Sequence, residues 1–137
     1  MPKPITPLLT VDAVIIYNKT NIILIRRKNP PFQGEYALPG GFVDIGETVE
    51  NACIRESKEE TNIDVKILKM IGVYSEPSRD PRGHTVSVGF LCEPLSNSEV
   101  PKAQDDAAAL EIVPISNINK FQLAFDHMDI IKDSGIL

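Results

Sequence analysis

The sequence has few cysteines and no long apolar run. Cys53 and Cys92 are too few for a disulfide-stapled scaffold, and there is no Cys-x-x-Cys pair of the kind found in zinc and redox sites. No apolar stretch approaches the roughly 18 residues that a membrane-spanning helix needs. The first residues, Met1-Pro2-Lys3-Pro4, lack the apolar core of a secretory signal. We therefore expect a cytoplasmic protein that does not bind membranes.

Positive charge is also scarce. The 137 residues include 14 Lys and Arg against 19 Asp and Glu, which gives a formal net charge of −5. Proteins that bind nucleic-acid polymers need many cations to neutralise phosphates, so we expect no such partner. Apolar residues make up 42% of the chain, enough to build a core, and the length predicts one domain over residues 1–137.

The pattern of apolar residues and turn formers predicts a mixed α/β fold. Residues 9–17 and 22–26 are predicted strands that form a hairpin, and the prolines and glycines of 29–41 exclude a helix there. Residues 48–61 are helical in composition. The remaining predicted elements are strands over 63–74, 85–92 and 110–113, a polar loop over 75–84 and a closing helix over 125–132. Strands and helices do not alternate regularly, which favours a mixed sheet with helices packed on it over a doubly wound sheet.

The predicted helix over residues 48–61 carries acids where its apolar face should continue. The apolar face consists of Val49, Ala52 and Cys53. At about 100° per residue, three acids extend that face within an arc of about 100°: Glu56, Glu59 and Glu60. Like charges one turn apart repel each other, and anions near a helix C-terminus oppose the helix dipole. A bound cation would relieve both costs, and Mg²⁺ or Mn²⁺ suits carboxylate ligands. The alternative is a solvated acidic face.

The boundaries of this helix and the turn before it carry further signals. Thr48 is a predicted N-cap, and Asn62 is a residue that can end a helix in the left-handed conformation. The turn before the helix, Leu38-Pro39-Gly40-Gly41-Phe42, contains two glycines that let the backbone approach a ligand closely. An ordinary tight turn is the alternative interpretation.

Together these residues resemble the Nudix box, G-x5-E-x7-R-E-U-x-E-E-x-G-U, in which U is a bulky apolar residue. The fixed glycine and charged positions are occupied by Gly41, Glu47, Arg55, Glu56, Glu59 and Glu60. Ser57 replaces an apolar residue and Asn62 replaces the second glycine. Neither departure affects a ligand position of the pattern, and we expect Ser57 to reduce stability more than chemistry.

Other segments resemble the ADP-ribose pyrophosphatase branch of that family, namely residues 27–43, 74–85, 105–108 and 123–127. The resemblance implies an α/β/α sandwich with a mixed sheet, usually as a homodimer. It also implies Mg²⁺-dependent hydrolysis, with Mn²⁺ as a second possible ion, of the diphosphate bond of ADP-ribose to AMP and ribose 5-phosphate. One alternative is a Nudix pyrophosphohydrolase acting on nucleoside triphosphates or diadenosine polyphosphates. Another is a non-catalytic ADP-ribose-sensing module, against which the intact box and the lack of residues for a DNA-binding domain both count.

The resemblance further implies roles for the residues of the box. Glu56, Glu59 and Glu60 would bind the metal, together with a backbone carbonyl of Gly40 or Gly41. Arg55 would orient these acids, and Glu47 would form a salt bridge with it or join an outer metal shell. The general base stays open between Glu56 and an acid outside the box, for which the candidates are Glu76, Asp80, Asp105, Asp106 and Glu111. Ala109 occupies a position where the branch often has glutamate.

Residues outside the box also have expected roles. Three arginines, whose planar forks suit phosphate oxygens, are predicted to bind the substrate: Arg27, Arg79 and Arg82. A structural role is expected for His84, and a place on a helix surface or interface for His127. Phe32 and Tyr74 are expected to pack in the core, with adenine stacking as the alternative. Cys53 and Cys92 are expected to be buried, inert thiols.

Overall fold

A computed structural model describes residues 3–96, 100–103 and 107–137. Across these ranges the chain forms seven strands, two α-helices and a 3-10 helix. The strands are β1 (Leu8–Tyr17), β2 (Asn21–Arg27), β3 (Tyr36–Ala37), β4 (Gly40–Phe42), β5 (Val65–Tyr74), β6 (Thr85–Pro94) and β7 (Ala107–Pro114). The helices are α1 (Val49–Thr61), the 3-10 helix (Ile115–Lys120) and α2 (His127–Asp133). Neither α-helix has the length and apolar character needed to cross a membrane.

The strands form one mixed sheet. Its order is β3-β2-β1-β6-β5, with β4 also paired to β1 and β7 to β2. β1 and β6 run parallel, whereas the other strand pairs are antiparallel. The predicted hairpin is confirmed, since Ile16 faces Ile22 and Tyr17 faces Asn21 across β1 and β2. The parallel pair β1 and β6 lies within this otherwise antiparallel order of strands, so the sheet is of the mixed type expected.

The two faces of β1 pack against different helices. Side chains alternate across a strand, so the odd-numbered residues from Val11 to Ile15 pack with Ala52 of α1. Val14 points the other way and belongs to a second cluster with Ile130 of α2. The sheet is therefore covered by helices on both faces, which confirms the α/β/α sandwich.

The ends of α1 match the sequence prediction. The Thr48 side chain accepts a hydrogen bond from the backbone N–H of Asn51, and Asn62 takes a left-handed conformation with φ 64°. Within the helix, Cys53 is buried with its sulfur 3.7 Å from that of Cys92, and neither thiol forms a disulfide. These contacts fix the rotation of α1 and hence the direction of its acids.

Several elements differ from the prediction. The 3-10 helix and β4 were not predicted, and β7 begins at Ala107 and not at Leu110. The alternation of β5 is interrupted by irregularities between Ile67 and Lys69 and between Met70 and Gly72. The closing helix begins at His127 and not at Phe125, because Phe125 has φ 53°, outside the right-handed helical region. The segment 29–41 contains no helix, as expected, but it includes the short strand β3.

Candidate active site

A cavity of about 310 Å³ lies where β1, β4, α1 and the start of α2 meet. Three groups of residues line it. The acidic group consists of Gly40, Gly41, Asp44, Glu56 and Glu60. The arginine–aromatic group consists of Arg27, Phe42, Arg82 and Phe125. The third group includes Asp12, Arg79, Thr85 and His127, which belong to what we call the inner polar network, together with Ser87 and Asp126.

The two glycines allow the acids of α1 to approach β4. A Cβ on Gly41 would lie 2.5 Å from the carboxyl carbon of Glu56, and a Cβ on Gly40 would collide with the carbonyl oxygen of Val11. The Gly40 N–H donates a hydrogen bond to Glu60 Oε2 at 3.2 Å. The double glycine is therefore required by close packing on two sides, of Gly40 against β1 and of Gly41 against Glu56 of α1.

Arg55 organises the acids of the box. Its guanidinium lies 2.7 Å from Glu47, 2.8 Å from Glu56 and 3.2 Å from Glu59. The expected salt bridge between Glu47 and Arg55 is thus present. Hydrogen bonds from Arg55 and from the backbone N–H of Asp44 lower the pKa of Glu47 to about 2. The same bond with Glu47 raises the pKa of Arg55, so both groups are charged at neutral pH.

The three acids predicted to hold a metal do not all face the cavity. Glu56 and Glu60 line it, whereas Glu59 is outside its lining and has a side chain that is 43% exposed. Among the residues that the structure describes, there is no group of three or more His, Cys, Asp and Glu side chains arranged to hold a metal ion. Of the three box acids, Glu56 and Glu60 offer carboxylates at the cavity, and carboxylate and backbone oxygens are the hard ligands that Mg²⁺ and Mn²⁺ prefer.

Two of the predicted substrate-binding arginines lie beside aromatic rings at the cavity. The Arg27 guanidinium carbon is 5.0 Å from the centre of the Phe125 ring. The Arg82 guanidinium carbon lies 5.6 Å from the Phe42 ring and 5.8 Å from the Phe125 ring. Asp80 holds Arg82 through an ion pair of 2.7 Å, and the Arg82 side chain is 45% exposed. This group presents cations and apolar rings to the same space.

The third predicted arginine, Arg79, is committed to the inner polar network. Its side chain is only 5% exposed. It donates to both carboxyl oxygens of Asp126, at 2.6 and 2.9 Å, and to the Thr85 hydroxyl at 3.1 Å. Arg79 lines the cavity, but its hydrogen bonds are directed into the protein.

Asp12 is the buried acid of this network. Burial alone would raise its pKa, but His127, the Ser87 hydroxyl and Arg79 together hold the pKa of Asp12 below its usual value. His127 Nε2 lies 3.2 Å from Asp12 Oδ1. Sequence reasoning missed Asp12, although one signal was available: it is a charged residue in the middle of the apolar strand Leu8–Tyr17.

The expectation that His127 lies on a helix surface or interface is wrong. Its residue surface is 4% exposed, and its Nδ1 accepts a hydrogen bond from the Leu38 backbone N–H at 3.0 Å. The physical reason is that the first turn of α2 packs on the segment before the double glycine. Phe42 and Phe125 were also missed as cavity residues, because single aromatic residues give no sequence signal that separates a cavity from a core.

The remaining candidates divide clearly. Of the possible bases in the described ranges, Glu56 and Asp80 line the cavity, whereas Glu76 and Glu111 are exposed residues outside its lining. Asp105 and Asp106 fall outside the described residues. His84 Nε2 lies 3.0 Å from the Ser75 carbonyl, Tyr74 packs on the second core cluster, and Phe32 stacks edgewise on Phe125. The contacts of His84 and Tyr74 are structural, as expected, but the expectation that Phe32 packs in the core is wrong: Phe32 is 37% exposed and its ring lies against the cavity residue Phe125.

Comparison with protein families agrees with this geometry. The model of the NUDIX domain matches residues 6–133. The chain belongs to the Nudix family. Divalent-metal dependence is general in that family, which is consistent with the oxygen donors of the acidic group. The match covers all the elements that form the cavity, from β1 to α2.

Three Nudix relatives illustrate the similarity. A protein of Methanocaldococcus jannaschii named ADP-ribose pyrophosphatase is 50% identical over 93% of this chain and 72% of its own length. The NUDIX domain of Shewanella oneidensis NrtR, solved with ADP ribose, is 29% identical with a TM-score of 0.83, over 94% of this chain and 86% of that chain. A bifunctional NMN adenylyltransferase/ADP ribose pyrophosphatase from Francisella tularensis, solved with AMP and a manganese ion, is 33% identical with a TM-score of 0.81, over 93% of this chain and 40% of that one.

Proposed function

We propose that the chain hydrolyses the diphosphate bond of ADP-ribose to AMP and ribose 5-phosphate, with a divalent cation. The observation that carries this proposal is the meeting of Glu56 and Glu60 with Arg27 and Arg82 at one cavity. Carboxylates suit a cation, and arginine forks suit the phosphate and ribose oxygens of the substrate. The names of the archaeal relative and of the ligand in the Shewanella structure support ADP-ribose as the substrate.

We assign the metal to Glu56 and Glu60, with a carbonyl oxygen of Gly40 or Gly41, and we propose Mg²⁺ as the ion. Glu59 is the third metal-binding acid that the family pattern implies. It lies outside the cavity lining and contacts Arg55. When bound, the cation neutralises the diphosphate and lowers the pKa of a coordinated water. The protein supplies the fixed geometry: Gly40 holds Glu60 and Arg55 holds Glu56.

We assign the general base to Glu56. Asp80, the other described candidate at the cavity, is buried, which would raise its pKa, but Arg82 holds the pKa of Asp80 below its usual value. Glu56 is itself paired with Arg55 at 2.8 Å, so its assignment rests on its place beside Glu60 in the acidic group and not on its charge state. Asp105 and Asp106 remain as alternatives from the tail.

The test is turnover of a substrate panel with Mg²⁺, containing ADP-ribose, dinucleotides and nucleoside triphosphates, with product identification. We expect AMP and ribose 5-phosphate from ADP-ribose. Glu60→Gln should lower the rate by about 10²-fold or more, because electrostatic stabilisation of this kind is worth several kcal/mol. Glu50→Gln, which removes an exposed acid from the same helix, is the matched control and should leave the rate unchanged.

Two results would redirect the proposal. Pyrophosphate released from a triphosphate, with ADP-ribose untouched, would favour another Nudix pyrophosphohydrolase. Binding of ADP-ribose without turnover would favour the sensing module. Calorimetric titration of ADP-ribose, followed by product analysis of the same sample, separates binding from hydrolysis.

We further propose that residues 1–137 act as one catalytic domain, in a cytoplasmic homodimer. The match of the family model over 6–133 supports the domain assignment, and the resemblance to the ADP-ribose pyrophosphatase branch supports the dimer. Light scattering coupled to size-exclusion chromatography measures the oligomeric state directly, and a monomer at micromolar concentration would overturn the dimer.

A further inference from the structure

His127, the first residue of α2, uses both of its ring nitrogens inside the protein. Nδ1 lies 3.0 Å from the backbone nitrogen of Leu38. A backbone N–H can only donate, so Nδ1 accepts and carries no proton. The proton therefore sits on Nε2, which faces Asp12 Oδ1 at 3.2 Å. This pattern fixes the neutral Nε2–H tautomer and leaves neither nitrogen available to a substrate.

The partner of Nδ1 begins the double-glycine turn. The Pro39 carbonyl accepts a hydrogen bond from the Ala13 N–H at 2.8 Å, and the Gly40 N–H donates to Glu60. His127 thus anchors the start of a segment whose third residue holds a carboxylate of the acidic group. His127 and Leu38 are 89 positions apart, so the anchor joins α2 to the turn across the fold.

Asp12 fixes the other side of the ring. It accepts from His127 and from the buried Ser87 hydroxyl, and its backbone pairs with Gly40 between β1 and β4. The residue that orients the histidine is therefore also the strand neighbour of the glycine that binds Glu60. Asp12 thus contacts the double-glycine turn directly through its backbone, and indirectly through His127.

We propose that His127 is a positioning residue for the acidic group: its Nδ1 holds the Leu38–Gly41 turn, and through Gly40 it holds the Glu60 carboxylate. The proposal rests on the proposed function in one respect, the assignment of Glu60 to the metal. His127 affects the geometry at Glu60 and not proton transfer, because both of its ring nitrogens are bound within the protein.

Two conservative variants distinguish the roles of the two ring nitrogens of His127. In His127→Asn the amide oxygen can take the place of Nδ1, whereas in His127→Gln the amide reaches the place of Nε2 and the Leu38 N–H loses its acceptor. We expect His127→Asn to keep kcat within about threefold of wild type. His127→Gln should lower kcat by about 10-fold to 100-fold, the usual effect of removing a group that orients a metal ligand, with KM changed much less.

A binding measurement that needs no turnover is the second readout. We expect the dissociation constant for Mn²⁺, followed by electron paramagnetic resonance of the free ion, to rise by about 10-fold or more in His127→Gln and to stay near wild type in His127→Asn. Ile131→Val is the matched control, since Ile131 is a buried core residue of the same helix. It should lower the melting temperature without changing the affinity for Mn²⁺.

The outcomes separate this proposal from the proposed function. Equal losses in the Asn and Gln variants, or losses that follow the melting temperature as in Ile131→Val, would overturn the positioning role. If wild type binds Mn²⁺ but does not hydrolyse ADP-ribose, and the Asn variant still binds more tightly than the Gln variant, the positioning role stands and the hydrolase proposal fails. Long-range ¹⁵N NMR of the imidazole checks the premise, because a proton on Nδ1 would contradict it.

Discussion

Two arginines organise carboxylates beside the same cavity, but in different surroundings. Arg55 lies on α1 with a side chain that is 27% exposed, and it contacts Glu47, Glu56 and Glu59. Arg79 lies in the loop before β6 with a side chain that is 5% exposed, and it binds Asp126 at 2.6 Å. The first arginine joins residues close in sequence, whereas the second joins the loop to the residue before α2.

The difference in exposure separates two functions of an ion pair. A partly exposed pair is screened by water and contributes little to folding free energy, so the value of the Arg55 group lies in holding Glu56 in place. A buried pair gives a small net gain when formed, but removing one partner strands a charge and costs several kcal/mol. The inner polar network therefore stabilises the fold, whereas Arg55 and the acids that it contacts determine the geometry of the site.

The largest effect is expected from Arg79→Met. The change leaves Asp126 and the buried Asp12 without their guanidinium, so we expect the free energy of unfolding to fall by about 3–5 kcal/mol. Urea denaturation followed by circular dichroism measures it. Arg79→Lys keeps the charge but not the planar guanidinium that binds both oxygens of Asp126. Its free energy of unfolding should fall by less than that of Arg79→Met. A loss below about 1 kcal/mol in the Met variant would remove the distinction between the two networks.

Arg55→Met tests the other side of the comparison. We expect kcat/KM for ADP-ribose to fall by about 10-fold to 100-fold, because Glu56 and Glu59 lose the group that orients them. The free energy of unfolding should change by no more than about 1 kcal/mol. Both quantities are measured on the same preparation. A loss of stability as large as that of Arg79→Met, with activity unaffected in the folded fraction, would reverse the assignment.

A smaller effect on the free energy of unfolding is expected when the pH is lowered. Hydrogen bonds from Arg55 and from the Asp44 backbone lower the pKa of Glu47 from 4.5 to about 2, so the folded state binds a proton at Glu47 less readily than the unfolded state. The stabilisation is complete above pH 4.5 and is lost as the pH falls toward about 2. The stability advantage of wild type over Glu47→Gln should therefore shrink between pH 5 and pH 2, as measured by denaturation at a series of pH values. The same comparison made in Arg55→Met should show a much weaker dependence on pH.

The two regions also differ in how far the sequence predicts them. The Arg55 group lies between Glu47 and Glu59, within 13 residues; helical periodicity identified Glu56 and Glu59, and the resemblance to the Nudix box identified Glu47 and Arg55. Periodicity did not decide which acids face the cavity. Glu59 and Glu60 lie at opposite edges of the predicted arc, and only the position of Arg55 shows that Glu59 turns away.

The inner polar network joins distant parts of the chain, and for that reason sequence patterns did not reveal it. Asp12, Arg79 and His127 come together because β1 pairs with β6 in parallel and the first turn of α2 packs near both. Spacing predicts strands, helices and the hairpin, and the resemblance implies helices on both faces of the sheet, but neither indicates which loop covers which strand end. Arg79 was therefore predicted only as a substrate-binding residue, and His127 as a residue of a helix surface or interface.

The smallest effect concerns the position at which α1 departs from the family pattern. Ser57 is fully buried, and its hydroxyl has no hydrogen-bond partner among the described residues. A buried polar group without a partner is destabilising, and alanine has the higher helix propensity, so Ser57→Ala should raise the free energy of unfolding by about 1 kcal/mol. Activity should stay the same, since Ser57 is outside the cavity lining.

Ser134 provides the matched control for this change. It is equally buried, but its hydroxyl donates to the Ile131 carbonyl at the end of α2. Ser134→Ala should therefore lower the free energy of unfolding, by about 1 kcal/mol, because it removes the bond to the Ile131 carbonyl and leaves the Ile136 N–H without the hydroxyl that accepts from it. Changes of opposite sign in the free energy of unfolding of the two variants would show that the hydrogen bonding of the hydroxyl, and not burial of a serine as such, determines its effect on stability. A loss of stability in both would mean that the Ser57 hydroxyl has a partner in solution, such as a buried water.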